Sequence, residues 1–342
     1  MTAEVTAVVG ACGPERHRYA RRLADARQAQ VVSAQRIASD AGAVELAIAL
    51  ADQHRSSSPL VLEYPLQTPT LHIIGEILDG SQPAVLSDLV CVVDAPHLLS
   101  DLASAEHLRV SHQTDSEDRH VFASRAELVV TQIEYASTVV LINAETMTFP
   151  ELNLMLSLIS HLAPKAQIDV AEASSELLTG STPGSFTEEQ TQAGWISLLN
   201  GDFEPRFQDS NVVAVRYEQL RPVHPGRLSE VMSHYTDSEK AGLLLRSAGF
   251  AHLATRPHIT AYWNQVGRHL ALSPAAFDHQ LESDDEPLAF GQDLAFLGVG
   301  IAVDQLAEDL DRAALTDQEL QAGPGLWSTF ADPFPEWRTA DH

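Results

Sequence analysis

At 342 residues the chain is long enough for two domains with well-buried cores, and 44% hydrophobic against 20% charged residues is an ordinary globular balance. Its 47 acidic and 21 basic residues leave a net charge of −26, which repels phosphate over most of the surface and excludes broad nucleic-acid binding, DNA included. No apolar run reaches bilayer-spanning length, the first residues lack a secretory pattern, and Cys12 and Cys91 are too few and too far apart for a disulfide framework. A cytoplasmic protein with no membrane partner is expected.

The first half alternates strand-like and helix-like stretches. "VTAVVG" (5–10), "QVVS" (30–33), "PLVLEY" (59–64), "LVCVVDA" (89–95) and "TVVLINA" (138–144) are short runs rich in β-branched residues. The stretch after Gly10, "AVELAIALADQ" (43–53), "RAELVVTQIEYA" (125–136) and "PELNLMLSLISHLAP" (150–164) carry helical spacing, and "AQIDVA" (166–171) reads as another strand. Strand–helix alternation predicts an α/β domain, a parallel sheet with helices on both faces. Residues 97–120, "HLLSDLASAEHLRVSHQTDSEDRH", read as a mobile polar loop.

A stretch rich in Gly, Pro, Ser and acid, 181–210, reads as a linker between a domain at 1–180 and a second at 211–342. In the second, "NVVAVRYEQL" (211–220), "GLLLRSAGFAHLATR" (242–256), "HITAYWNQVG" (258–267) and "DLAFLGVGIAV" (293–303) predict an antiparallel sheet. "PGRLSEVMSHY" (225–235) and "VDQLAEDLDRAAL" (303–315) are its few helices, and the whole is a smaller α+β domain.

Several segments of this half, in order, resemble the CobW family: "RPVHPGRL" (221–228), "GLLLRSAGFAHLATRP" (242–257), "ALTDQEL" (314–320) and "WSTFADPFPEW" (327–337). In the first half "LVCVVDA" and "RAELVVTQIEYASTVVLINAE" resemble that family's G domain. The resemblance implies a P-loop NTPase-like sheet followed by a CobW C-terminal domain, in a family linked to cobalt and zinc handling. It also implies where a nucleotide would lie: Gly10 and Gly13 in the phosphate loop, Arg16 in place of its lysine, His17 in place of the magnesium-binding hydroxyl, Glu63 in the switch and Asn143 in the base-recognition loop.

Each of these elements departs from the pattern. Pro14 removes an N–H that would cradle phosphate, and Glu15 replaces a glycine with a carboxylate. Arg16 keeps the charge but not the compact ammonium, and His17 is a poor ligand for a hard cation. Asn143–Thr146 lacks the aspartate that reads guanine, and "EYPLQTPT" (63–70) lacks the switch glycine. The family's Cys-x-Cys-Cys cluster is missing from "RIASDAGAVELAIALADQ" (36–53), which has neither cysteine nor histidine. GTP with magnesium and zinc are therefore doubtful cofactors, and no catalytic residue is assigned; if the chain were an enzyme it would hydrolyse GTP.

Two other groups are candidates. Arg16, Arg18, Arg21, Arg22 and Arg27 crowd one helical stretch, either as a solvated face or as a local contact for phosphate, RNA or an acidic partner. His97, His107, His112 and His120, with acids among them, are weak metal candidates, since no pair has a strong ligand spacing. Within the family, "DPFPEW" and "RPVHPGRL" resemble an actinobacterial branch made under zinc shortage, which implies an adaptor that recruits a ribosome hibernation factor to ribosomes. The alternative is a GTP-dependent zinc or cobalt metallochaperone.

Overall fold

The protein was analysed as a computed structural model, which describes residues 3–40, 42–53, 59–78, 84–110, 121–171, 186, 193–237, 241–277 and 291–337. The chain divides into two units, Met1–Gly194 with Glu204–Asp209, and Trp195–Phe203 with Ser210–His342.

The first unit runs β1 (Ala3–Val9), α1 (Gly13–Arg27), β2 (Gln30–Val32), α2 (Ala34–Ser39), α3 (Ala43–Gln53), β3 (Leu60–Glu63), α4 (Thr70–Leu78), β4 (Ala84–Asp94), α5 (Leu98–Leu102), β5 (His107–Val110), β6 (Val121–Ser124), α6 (Arg125–Glu134), β7 (Thr138–Ile142), α7 (Phe149–Leu162) and β8 (Gln167–Val170). Six of its strands form a parallel sheet ordered β2-β3-β1-β4-β7-β8. The inner strands are apolar throughout because both faces are covered: all of β3, and all of β1 but Glu4, is buried.

From β1 the chain moves outward to β2, and every later connection moves the other way. Right-handed crossovers therefore put α1 on one face and α3, α4, α6 and α7 on the opposite one. The inner face of α1, Tyr19, Ala20, Leu23 and Ala24, packs on Val8, Val61, Val90, Val92 and Val140, the spacing that a helix needs to present one stripe. This is the parallel sheet with helices on both faces that the sequence predicted.

Two expectations change here. The polar stretch after His97 is not all loop: α5 follows directly, and β5 and β6 pair antiparallel, Leu108 opposite Ala123 and Val110 opposite Val121. Residues 111–120 lie outside the described residues. α4 starts at the last residue of the stretch read as a switch remnant, 63–70, and runs on through residues assigned no element; Pro69 precedes it, and Thr70, Ile73, Ile74 and Ile77 form its buried stripe.

The second unit begins in α8 (Gly194–Asn200), inside the stretch read as linker, and continues β9 (Val212–Gln219), α9 (Pro225–Asp237), β10 (Leu243–Ala251), β11 (Ile259–Val266), β12 (His269–Phe277), β13 (Gln292–Val299), α10 (Val303–Ala313), α11 (Asp317–Ala322) and α12 (Pro324–Trp327). Its five strands form an antiparallel sheet ordered β12-β11-β10-β13-β9. Trp263 is wholly buried, packs edge-on against Phe296, and donates its indole N–H to Ser247 Oγ at 2.8 Å. Leu228, Met232 and Tyr235 of α9 and Leu306 and Leu310 of α10 close the core.

His224 opens α9. Its Nδ1 accepts from the backbone N–H of Gly226 at 3.1 Å and of Arg227 at 3.4 Å, and its ring stacks on Phe330 at 4.4 Å. Arg227 forks onto both carboxylate oxygens of Glu319, each at 2.9 Å, fixing α9 to α11. Burial, followed by the nearby Arg227 charge, lowers the His224 pKa from 6.5; the Arg227 hydrogen bonds hold Glu319 at about 2. Both groups are depressed on folding, so each contributes stability above its unfolded value that is lost as pH falls through its folded value. Urea melts of the second unit should weaken first below about pH 6.5 and again below about pH 4.5. His224→Gln should abolish the upper step alone; an unchanged upper step would assign it to another group.

Candidate functional site

The loops after β1 and β3 leave the sheet toward opposite faces, so the crevice outside the ends of these neighbouring strands is the topological switch point where α/β sheets hold ligands. Five candidate residues converge on the ends of β1 and β3. Gly10 follows β1 with φ +150°, and a Cβ there would sit 2.4 Å from the Val92 carbonyl oxygen, so only glycine lets the turn lie against β4. Gly13 begins α1, Arg16 and His17 fall in its first two turns, and Glu63 ends β3.

Glu63 is 2% exposed and bridges these pieces. Its Oε1 accepts from Arg16 Nε at 3.2 Å; its Oε2 lies 2.8 Å from His17 Nδ1 and accepts from the Ala34 backbone N–H at 3.2 Å. Arg16, itself only 7% exposed, uses Nη1 to donate to the Gly10 carbonyl at 2.6 Å. The loop's cation is thus neutralised by a carboxylate of the same chain. In the same turn the Cys12 thiol donates to Glu15. Burial first, then this hydrogen bond and the Glu15 charge, push the thiol up to about 11, so it is protonated at neutral pH.

A second cluster stands on the next strands. Asp94, ending β4, accepts from Asn143 Nδ2 at 2.9 Å on Oδ1, and its Oδ2 lies 2.6 Å from His97 Nδ1. That hydrogen bond, followed by the Asp94 charge, raises the His97 pKa. Asn143 adopts a left-handed backbone, φ 57°, and its amide nitrogen is turned back onto the end of β4. Asp94 was not singled out in the sequence, where a polar residue closing an apolar strand was the available signal; Glu15 was, but as a lost glycine and not as the partner of Cys12.

Residues 212–314 match the family model for the cobalamin synthesis protein cobW C-terminal domain. The second unit carries a CobW C-terminal domain. The chain is 27% identical over 294 residues to zinc-regulated GTPase metalloprotein activator 1 of Dictyostelium discoideum, covering 78% of this chain and 60% of that one. It is 25% identical over 231 residues to a zinc chaperone of Mycobacterium tuberculosis, covering 62% and 54%. The chain thus spans little more than half the length of these curated relatives. Among solved structures, the Zn(II)-bound YjiA GTPase from E. coli aligns over 92% of this chain and all of that one, at 15% identity and a TM-score of 0.37.

The arginine stretch needs correction. Helical periodicity turns Arg16 and Arg27 inward: Arg16 binds Glu63, and Arg27 donates to Thr6 Oγ1 at 2.7 Å and to Asp88 Oδ2 at 3.4 Å. Neither can serve as an open contact. Arg18 and Arg21 are exposed and Arg22 is half-buried. Of the histidine candidates, exposed His97 is held by Asp94, and exposed His107 lies in β5 with Nδ1 at 3.2 Å from the Ala105 carbonyl. His112 and His120 lie outside the described residues. Among the described residues no group of three or more His, Cys, Asp or Glu side chains is arranged to hold a metal ion. Within the CobW C-terminal domain His224 is a structural cap of α9 rather than a ligand.

Removing one partner of a buried ion pair leaves the other charge uncompensated. Glu63→Ala should cost about 3 kcal/mol in urea unfolding, while Arg16→Met with Glu63→Leu should cost less than the single change. Gly10→Ala should cost about 2 kcal/mol, because its strained φ and the Val92 carbonyl both oppose a side chain, whereas Gly13→Ala should be near neutral. Equal effects at the two glycines would refute this account of the turn.

Proposed function

We propose that this chain is a CobW-like protein of the zinc-limitation response that works as a nucleotide-independent adaptor, recruiting a ribosome hibernation factor to ribosomes. The observation that carries the nucleotide-independent half is the Arg16–Glu63–His17 bridge across the switch-point crevice. A nucleoside triphosphate with magnesium needs inward N–H groups, a free cation and hard oxygen ligands. Here Arg16 is spent on Glu63 and Gly10, Pro14 has no N–H, Glu15 adds negative charge, and His17 bonds directly to the carboxylate that would face the metal. That donor set does not fit the group, and no hydrolytic step is derived for it.

The zinc half rests on relatives named as a zinc-regulated GTPase metalloprotein activator and a zinc chaperone. The ribosome half rests on the resemblance of "DPFPEW" and "RPVHPGRL" to the actinobacterial branch. A chain with net charge −26 meets a ribosome best through a protein partner, with exposed Arg18 and Arg21 as the remaining basic contact on α1. Under zinc limitation, affinity capture should recover ribosomes together with a hibernation factor, and Arg18→Ala with Arg21→Ala should weaken that recovery and flatten its salt dependence. Recovery of neither would sink the adaptor.

The competing reading, a GTP-dependent metallochaperone, is favoured by one observation: Gly10, Glu63 and Asn143 all stand at the same end of the parallel sheet, after β1, at the end of β3 and after β7. Calorimetry with GTP and magnesium separates the two. Affinity weaker than about 1 mM and no phosphate release is the expected result, with a gain when Glu15→Gly, Arg16→Lys and His17→Thr are combined. Micromolar affinity in the parent protein would establish the metallochaperone reading instead.

A further inference from the structure

A cleft of about 590 Å³ lies wholly within the second unit. Ile259, Pro274 and Phe277 of the β11–β12 hairpin line it, as do Phe330, Phe334 and Trp337 of the segment that follows α12. That volume is within the range of sites for small molecules and short peptide segments. The segment after α12 is held in place by an arginine of the β10–β11 connection. Arg256 lies 4.2 Å over the Trp337 ring, its Nε donates to Asp332 Oδ2 at 2.9 Å, and its Nη2 donates to the Phe334 carbonyl at 2.9 Å. Trp337 also donates its indole N–H to the Leu272 carbonyl at 2.8 Å. The wall of the cleft therefore already shows how it holds a guanidinium: an aromatic face, a carboxylate and a backbone carbonyl together.

The opening of the cleft is acidic. Glu336 lines it, is exposed, and pairs with no basic side chain among the described residues. β12 is the edge of its sheet, but Pro274 has no N–H to donate, so strand addition is interrupted in mid-edge and recognition falls to side chains.

We propose that this cleft, between the β11–β12 hairpin and the Phe330–Trp337 segment, is the docking site for an extended, arginine-bearing segment of a partner protein. The segment's apolar and prolyl groups pack on the aromatic and prolyl walls, and its guanidinium meets Glu336 at the opening. Charge complementarity selects this occupant, because among the described residues lining the cleft the one charge without an ion-pair partner, Glu336, is negative, on a chain of net charge −26. The proposal rests on the adaptor reading for the existence of a partner and locates its site.

The test uses the full-length protein and a fluorescently labelled peptide of alternating Arg and Pro, with a Glu-Pro peptide as control, read by anisotropy at near-physiological salt. The Arg-Pro peptide should bind saturably and the Glu-Pro peptide should not. Glu336→Lys, an exposed change, should weaken binding about tenfold, while Glu308→Lys, on the exposed face of α10, should leave it within about twofold. Phe277→Ser should also weaken it, with circular dichroism confirming that the variant is folded. Equal losses at Glu336 and Glu308 would assign the attraction to the whole acidic surface and overturn the site, as would unchanged binding by Glu336→Lys. If the peptide behaves as expected but no ribosomal partner is captured, the cleft stands and the adaptor falls. If the partner is captured equally well by Glu336→Lys, the adaptor stands and the cleft falls.

Discussion

Glu63 ends a strand whose every residue is buried, and its carboxylate is the point on which the first unit's site turns. A carboxylate in that setting is costly unless charge and hydrogen bonds meet it. Arg16 supplies the charge, His17 and the Ala34 backbone N–H supply further bonds, and the same arginine draws in the Gly10 carbonyl. Through one side chain, β3 is connected to the β1 turn, to α1 and to the start of α2. At the switch point where α/β sheets hold ligands, this contact is closed within the chain.

The second unit is organised differently. Its core is one buried tryptophan with helices α9 and α10 laid over a meandering sheet, and its polar contacts fix helix ends and the final segment rather than a crevice. His224 and the Arg227–Glu319 fork hold α9 and α11, and Arg256 holds the segment beyond α12.

Much of this was legible in the residues. The parallel strands announced themselves as uninterrupted β-branched runs, since burial on both faces removes any need for polar alternation. α4 was less visible because Gly75 and the preceding prolines mask a four-residue apolar stripe, and β12 because an edge strand tolerates Pro274 and exposed positions. Gly10 and Glu63 were found through resemblance, but not that they would be joined by Arg16. Pairings between residues 47 positions apart depend on strand order, which spacing does not encode. The arginine stretch misled for a related reason: counting charges along a helix ignores which of them face the sheet, and Arg16 and Arg27 do.

The Cys12 thiol, protonated and bonded to Glu15, has a consequence for redox behaviour. The other cysteine, Cys91, is pushed up to about 12 by burial in β4. Since the thiolate is the form that attacks disulfides, reacts with peroxide and grips soft metals, neither cysteine offers one at neutral pH. The molecule is therefore a weak thiol competitor for zinc and slow to react with cellular oxidants. Thiolate chemistry at these two positions should therefore emerge only toward alkaline pH.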